Sequence, residues 1–155
     1  MIWTSTRALA VLWLCAGATA FAACSDHDFE PPDPALRVER AAAGYAPELF
    51  DTVQWADEAT RRTEGNAVYA AECRRCHGVI GRGDTDYARS RGLTAPSLVE
   101  PDWPMADMDS VRRAVYVGHE AGMPSFGERN LGPREIDAAA AYVLNTLRPE
   151  VLGRH

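Results

Sequence analysis

Cys73-Arg74-Arg75-Cys76-His77 brings two thiols and an imidazole into five consecutive positions. In a chain with only four cysteines and four histidines, that concentration points to chemistry rather than packing. On a helix, side chains three and four residues apart share a face, so Cys73, Cys76 and His77 point the same way. Three uses of such a cluster are distinct. A structural zinc site needs a fourth ligand and usually a second paired motif; no second pair follows, and His119 alone is a poor completion. A dithiol redox pair of the thioredoxin type sits among strands, and the sequence offers no strand pattern. The third use is covalent haem attachment, in which two sulfurs form thioethers to porphyrin vinyl groups and the adjacent imidazole reaches the iron. The spacing suits this last use, with Cys73 and Cys76 as the thioether cysteines, His77 as an iron ligand and one haem c as the cofactor.

Helical periodicity supplies the elements that would position this turn. Asn66 to Cys76 contains neither Gly nor Pro, and Asn66 is available as an N-cap. Asp109 to Val117 puts Val111, Ala114 and Val115 on one face and stops at Gly118. Pro133 to Leu147 opens on a proline whose missing N–H costs nothing in a first turn, and carries Ile136, Ala140, Val143, Leu144 and Leu147 as an apolar stripe. Ala46 to Arg62 reads as a weaker amphipathic helix started by Pro47, with Leu49, Val53 and Ala56 at helical spacing. It either coils against its own domain or docks a partner. The stretch from Gly78 to Met108 is rich in Gly, Pro, Asp and Arg, and a loop of that length needs something other than secondary structure to organise it. Three short helices bury little apolar surface, so a bound group that completes the core is physically attractive. The expected class is all-α.

The N-terminus reads as an export signal: Arg7 is followed by an uncharged apolar run, Ala8 to Ala23, too short to span a bilayer comfortably. Ala20-Phe21-Ala22 would serve as an ordinary cleavage site. Phe21-Ala22-Ala23-Cys24 also resembles the lipobox of bacterial lipoproteins, with Phe21 where leucine is usual, and lipid on Cys24 would hold the protein to a membrane surface. Ser25 to Pro34 is acidic and proline-rich, as a solvated tether should be. The expected organisation is a signal over 1–23, an acidic tether with a weak helix over 24–64, a domain over 65–148 and a tail over 149–155. With Cys15 in the signal and Cys24 spent on lipid, only Cys73 and Cys76 remain, too few for an ordinary disulfide framework. The 155-residue chain has a formal charge of −6 and all 16 basic side chains are arginine. The acidic excess lies between Asp26 and Glu64, and nothing resembles a basic nucleic-acid footprint.

From about Gly65 to Leu147 the chain resembles a class I cytochrome c of the small monohaem type. The family's glycine, aromatic and CxxCH pattern stands here as Gly65, Tyr69 and Cys73 to His77; its Gly-Met-Pro segment as Gly122-Met123-Pro124; its C-terminal helix with a central tyrosine as Ile136 to Leu147 with Tyr142. Ala139 departs from the pattern, since leucine is more usual there. The resemblance implies three main helices wrapped around one covalently attached haem with long connecting loops, the first and last helices crossing at Gly65. It implies Met123 as the second axial ligand, with Met105, Met108 and His119 as alternatives. Ala95-Pro96-Ser97-Leu98 matches the segment whose backbone carbonyl orients the axial imidazole, which assigns that role to Pro96. Trp103 and Arg82 are candidates for the haem propionates.

A haem iron with both axial positions filled has no open site for substrate. The implied function is therefore a periplasmic, non-enzymatic carrier of single electrons between redox protein complexes, without a small-molecule substrate. A fixed subunit of a larger oxidoreductase, docked through residues 35–64, is the alternative. A gas sensor in which Met123 dissociates is a third reading.

Overall fold

The computed structural model describes residues 33–105 and 107–153. Cys24, with the expected signal and lipid-attachment segment, lies outside them. Among the described residues the elements are helices and tight turns, with one isolated antiparallel bridge between His119 and Met123. The class is all-α, as the helical periodicities imply.

The helix that leads to the CxxCH turn starts earlier than Asn66. Asp57 caps it, its carboxylate accepting the Thr60 N–H at 2.6 Å. Helix α2 (Glu58–Val68) then runs through a π turn, Tyr69–Cys73, into α3 (Arg74–His77). Gly65 is therefore inside the helix, where glycine costs about 1 kcal/mol relative to alanine. The cost has a local reason. A Cβ on Gly65 would lie 2.2 Å from the Ala138 carbonyl oxygen and 2.7 Å from Tyr142 Cβ, so the absent side chain is what lets α2 cross α6 (Pro133–Tyr142) in backbone contact. Ala139 is buried on α6, and the crossing is tight despite the shorter side chain.

Helix α6 begins with Pro133 in its first turn and with the Glu135 carboxylate reaching back to the Gly132 N–H at 3.0 Å. It continues past the expected end at Leu147, through a π turn, Val143–Leu147, into α7 (Arg148–Leu152). Pro149 is accommodated because it falls in the first turn after that π turn. Helix α5 (Met108–Val117) is capped by Asp107 and ends at Gly118, one residue from the expected start and at the expected stop.

Ahead of α2 the structure departs from a single weak helix over Ala46 to Arg62. Pro47–Phe50 makes one 3₁₀ turn and the chain then runs irregularly to Asp57. Phe50 is buried in the core and Trp55 bonds to Asp137. Five residues apart on a helix, they would face directions about 140° apart, so a continuous helix could not seat both. Residues Pro34–Gly44 form a further helix, α1, started by Pro34 and by the Asp33 carboxylate on the Ala35 N–H. It packs on α5, and Tyr45 just beyond it donates to the Asp109 carboxylate at 2.5 Å. The short α4 (Asp86–Ser90) is the remaining helix of the long loop.

Candidate functional site

The five-residue motif sits where two helical geometries meet. Cys73 closes the π turn, with the Arg74 N–H bonding back to the Tyr69 carbonyl, and Cys76 and His77 follow in the single turn of α3. The π turn inserts an extra residue ahead of the motif, a device common at functional sites. Tyr69 ties off the turn, its hydroxyl donating to the Gly78 carbonyl at 2.7 Å while its ring lies 5.5 Å from that of Tyr142. Both cysteines are unpaired and half-buried, and His77 is buried.

The loop after the motif folds back under His77. Gly83 donates its N–H to the His77 carbonyl at 2.9 Å, and Leu98 donates to the Gly81 carbonyl at 2.7 Å. Gly83 has φ +80°, and a Cβ there would lie 2.1 Å from the Ala95 carbonyl oxygen, so only glycine lets residues 95–97 pass this close. The result is a contact of 3.1 Å between His77 Nδ1 and the Pro96 carbonyl oxygen. A carbonyl only accepts, so Nδ1 carries the proton and the lone pair is on Nε2. Burial pushes the His77 pKa down, partly opposed by the Pro96 carbonyl, which keeps the ring neutral, as a metal ligand must be.

Met123 is half-buried against the core in the segment after α5. Its carbonyl accepts the His119 N–H at 2.9 Å. Gly118, at φ +72°, makes that return possible: a Cβ would lie 2.6 Å from the Met123 carbonyl oxygen. The alternatives sort by environment. Met105 and Met108 also border the core, whereas His119 is exposed and its Nδ1 already accepts the Ala121 N–H at 3.0 Å. Trp103 is buried beneath the Arg148 guanidinium, 4.8 Å from its ring centre; that guanidinium also donates to the carbonyls of Leu98 and Glu100. Arg82 is exposed and lines a shallow cleft with Val99, Pro101 and Val151.

The donor set fits a covalently attached haem. Among the described residues no three His, Cys, Asp or Glu side chains converge on a point that could hold a metal ion, so Cys73, Cys76 and His77 do not form a zinc cage. Burial, with the negative charges of Glu72 and Cys76, pushes the Cys73 thiol up to about 12, which disfavours thiolate ligation and leaves the S–H form. Two free cysteine sulfurs beside an imidazole whose Nδ1 is held by the Pro96 carbonyl are the groups that thioether attachment and iron ligation use.

A family model described as cytochrome c oxidase, cbb3-type, subunit III matches residues 59–143, more than half of the chain. The chain belongs to this cytochrome c family. No solved structure matches it. Membership carries covalently bound haem c, haem-based electron transfer and an extracytoplasmic location. It makes the cytochrome an electron carrier or a subunit of a redox complex, with redox complexes as partners. The match begins inside α2 and excludes α1 and the 3₁₀ turn. Among the described residues no helix is long and apolar enough to cross a membrane.

Sequence reasoning passed over Asp137. Its side chain is 1% exposed, and it accepts from Trp55 Nε1 at 2.7 Å, from Arg61 Nε and Nη2 at 2.9 Å each, and from Arg112. Burial alone would raise its pKa, but the bonds from Arg112, Trp55 and Arg61 more than reverse this and hold the carboxyl below its ordinary range. The cluster joins the start of α2, the middle of α5 and the first turns of α6. Gly83 was passed over too; its only signal was a glycine-punctuated turn six residues after His77.

Proposed function

We propose that this cytochrome is a one-haem electron carrier on the periplasmic side of a bacterial membrane, reduced by one redox complex and oxidised by another. Cys73 and Cys76 would carry the thioethers, His77 Nε2 and the Met123 sulfur would ligate the iron, and Trp103 and Arg82 would be the candidates to bond the propionates. The observation that supports this reading best is the Pro96 carbonyl holding His77 Nδ1–H on the same turn as both thiols. A haem so held would supply one-electron chemistry, and with His77 and Met123 both on the iron it would offer no coordination site to a substrate. The chain's part is to fix the His77 imidazole plane through the Pro96 carbonyl and to present in Met123 a soft neutral sulfur, which would favour ferrous iron. A pyridine haemochrome and a far-red sulfur-to-iron band in the oxidised protein, with that band lost in Met123→Ala, are the expected spectra. A bis-imidazole spectrum abolished by His119→Ala overturns the Met123 assignment.

Lipid on Cys24 is part of this proposal and rests on the Phe21 to Cys24 pattern. Mass spectrometry of the mature N-terminus should find a diacylglyceryl-modified cysteine; an unmodified start at Ala23 or beyond removes the anchor. The family's description as an oxidase subunit favours one second reading, a fixed subunit of a larger complex. Size-exclusion chromatography in mild detergent separates them: a carrier elutes alone, a subunit elutes with a larger oxidoreductase.

A further inference from the structure

Arginines are used in two ways on this surface. Arg40, Arg61, Arg89, Arg112 and Arg134 each have a carboxylate within salt-bridge distance. Arg74, Arg75 and Arg91 have none among the described residues, and all three are exposed. Arg75 and Arg91 instead both lie over the ring of Tyr87, at 5.1 and 5.3 Å from its centre. The arrangement is held in place: the Thr85 hydroxyl donates to the Arg75 carbonyl at 2.9 Å and accepts the Ala88 N–H, so α4, which carries Tyr87, is fastened to the turn that carries Arg75. The Tyr87 ring thus holds two like charges near each other, neither of them paired with a carboxylate among the described residues.

Four to six residues along the chain from Arg74 and Arg75 stand Val79 and Ile80, 70% and 41% exposed. With Leu36 they are the exposed large apolar side chains of the described residues. Ile80 follows His77 by three residues, so its Cα lies within about 11 Å of that of His77. From Arg74 to Arg91 there are five arginines and two aspartates, a net charge of +3, in a chain of net charge −6. Exposed arginines gathered with a tyrosine next to a short exposed apolar pair have the composition of a transient protein interface, and charge of one sign at such a site acts mainly on the rate of encounter.

We propose that Val79 and Ile80, rimmed by Arg74, Arg75 and Arg91, form the docking face for a redox partner, and that the partner presents an acidic surface. This rests on the electron-carrier reading above. At this face one electron passes between the partner's redox centre and the attached haem, one side being oxidised and the other reduced, and no bond is made or broken.

The test uses the reduced, haem-loaded protein with two small oxidants, anionic hexacyanoferrate(III) and cationic tris(phenanthroline)cobalt(III), over a range of ionic strength. The net charge of the chain predicts that salt accelerates the anion and slows the cation. The local patch predicts the reverse, with hexacyanoferrate(III) slowed by salt. The double variant Arg75→Glu/Arg91→Glu should slow hexacyanoferrate(III) about tenfold at low salt and restore the sign that net charge demands. Arg62→Glu, at an exposed position beside Ala141 and Asn145, should change the rate little. An unaltered haem spectrum with a rate indifferent to Arg75 and Arg91, or equally sensitive to Arg62, overturns the docking face and leaves the carrier standing. Absence of a reducible haem removes the carrier reading itself. If both oxidants ignore the patch while vesicles of phosphatidylcholine and phosphatidylglycerol in equal parts bind through the same arginines, the face belongs to a lipid surface and the proposal falls.

Discussion

Asp137 and His77 are both buried polar groups held by bonds from distant segments, but their accounts close differently. Around Asp137 the carboxylate meets an indole N–H and two guanidinium groups, so the polypeptide satisfies the charge by itself. Around His77 only Nδ1 is engaged, and two neighbouring thiols are unpaired. The contrast separates a frame that is complete as protein from a site whose remaining valences belong to a cofactor.

The strongest way to break the contrast is at the site. Cys73→Ala/Cys76→Ala should abolish the peroxidase-active band on a denaturing gel and cost the domain its cooperative melting, since the attached group completes the core. At the frame, Asp137→Ala leaves two guanidinium groups and the Trp55 N–H without their acceptor. Urea denaturation of the haem-loaded protein at pH 7 should show a loss of about 3 kcal/mol, with the visible spectrum of the folded state unchanged. Gly65→Ala forces a Cβ against the Ala138 carbonyl and should cost about 1–3 kcal/mol by the same measurement. Arg148→Ala removes two carbonyl bonds and the cover over Trp103, worth about 1–2 kcal/mol.

The smallest effect sharpens the contrast by acid. The folded-state pKa of Asp137 lies below its unfolded value, so its contribution is fully present above the unfolded value, near about 3.9, and drains away as pH falls through the folded value. Stability measured on acidification below about pH 4 should fall less steeply in Asp137→Asn than in the parent protein. An equal slope in both would mean that Asp137 does not titrate with unfolding.

What was legible in the sequence was what chemistry compresses into neighbouring positions. The CxxCH turn needs its three side chains within one helical turn, and the stop of α5 at Gly118 is written in a single residue. The course of α6 followed from its apolar stripe. The start of α2 was misread because Gly65 looks like a boundary; its reason for being inside a helix is the backbone of α6, far along the chain. Asp137 looks like any acidic residue early in a helix, and its partners Trp55 and Arg61 are 82 and 76 residues away. Helix α1 had its signals in Asp33 and Pro34, but they close an acidic, proline-rich stretch whose composition argued for extension. The π turns left no mark at all, since an i→i+5 bond has no residue preference strong enough to read.

The way the N-terminal elements are fastened has a mechanical consequence. A pull applied at Asp33 meets in turn the Arg40–Glu128 pair, the Tyr45–Asp109 bond and the Trp55–Asp137 bond before any load reaches α2. Tension in the leading segment is thus delivered to α5, to α6 and to the turn between them that carries Glu128, and the helical turn bearing the two sulfurs stays slack.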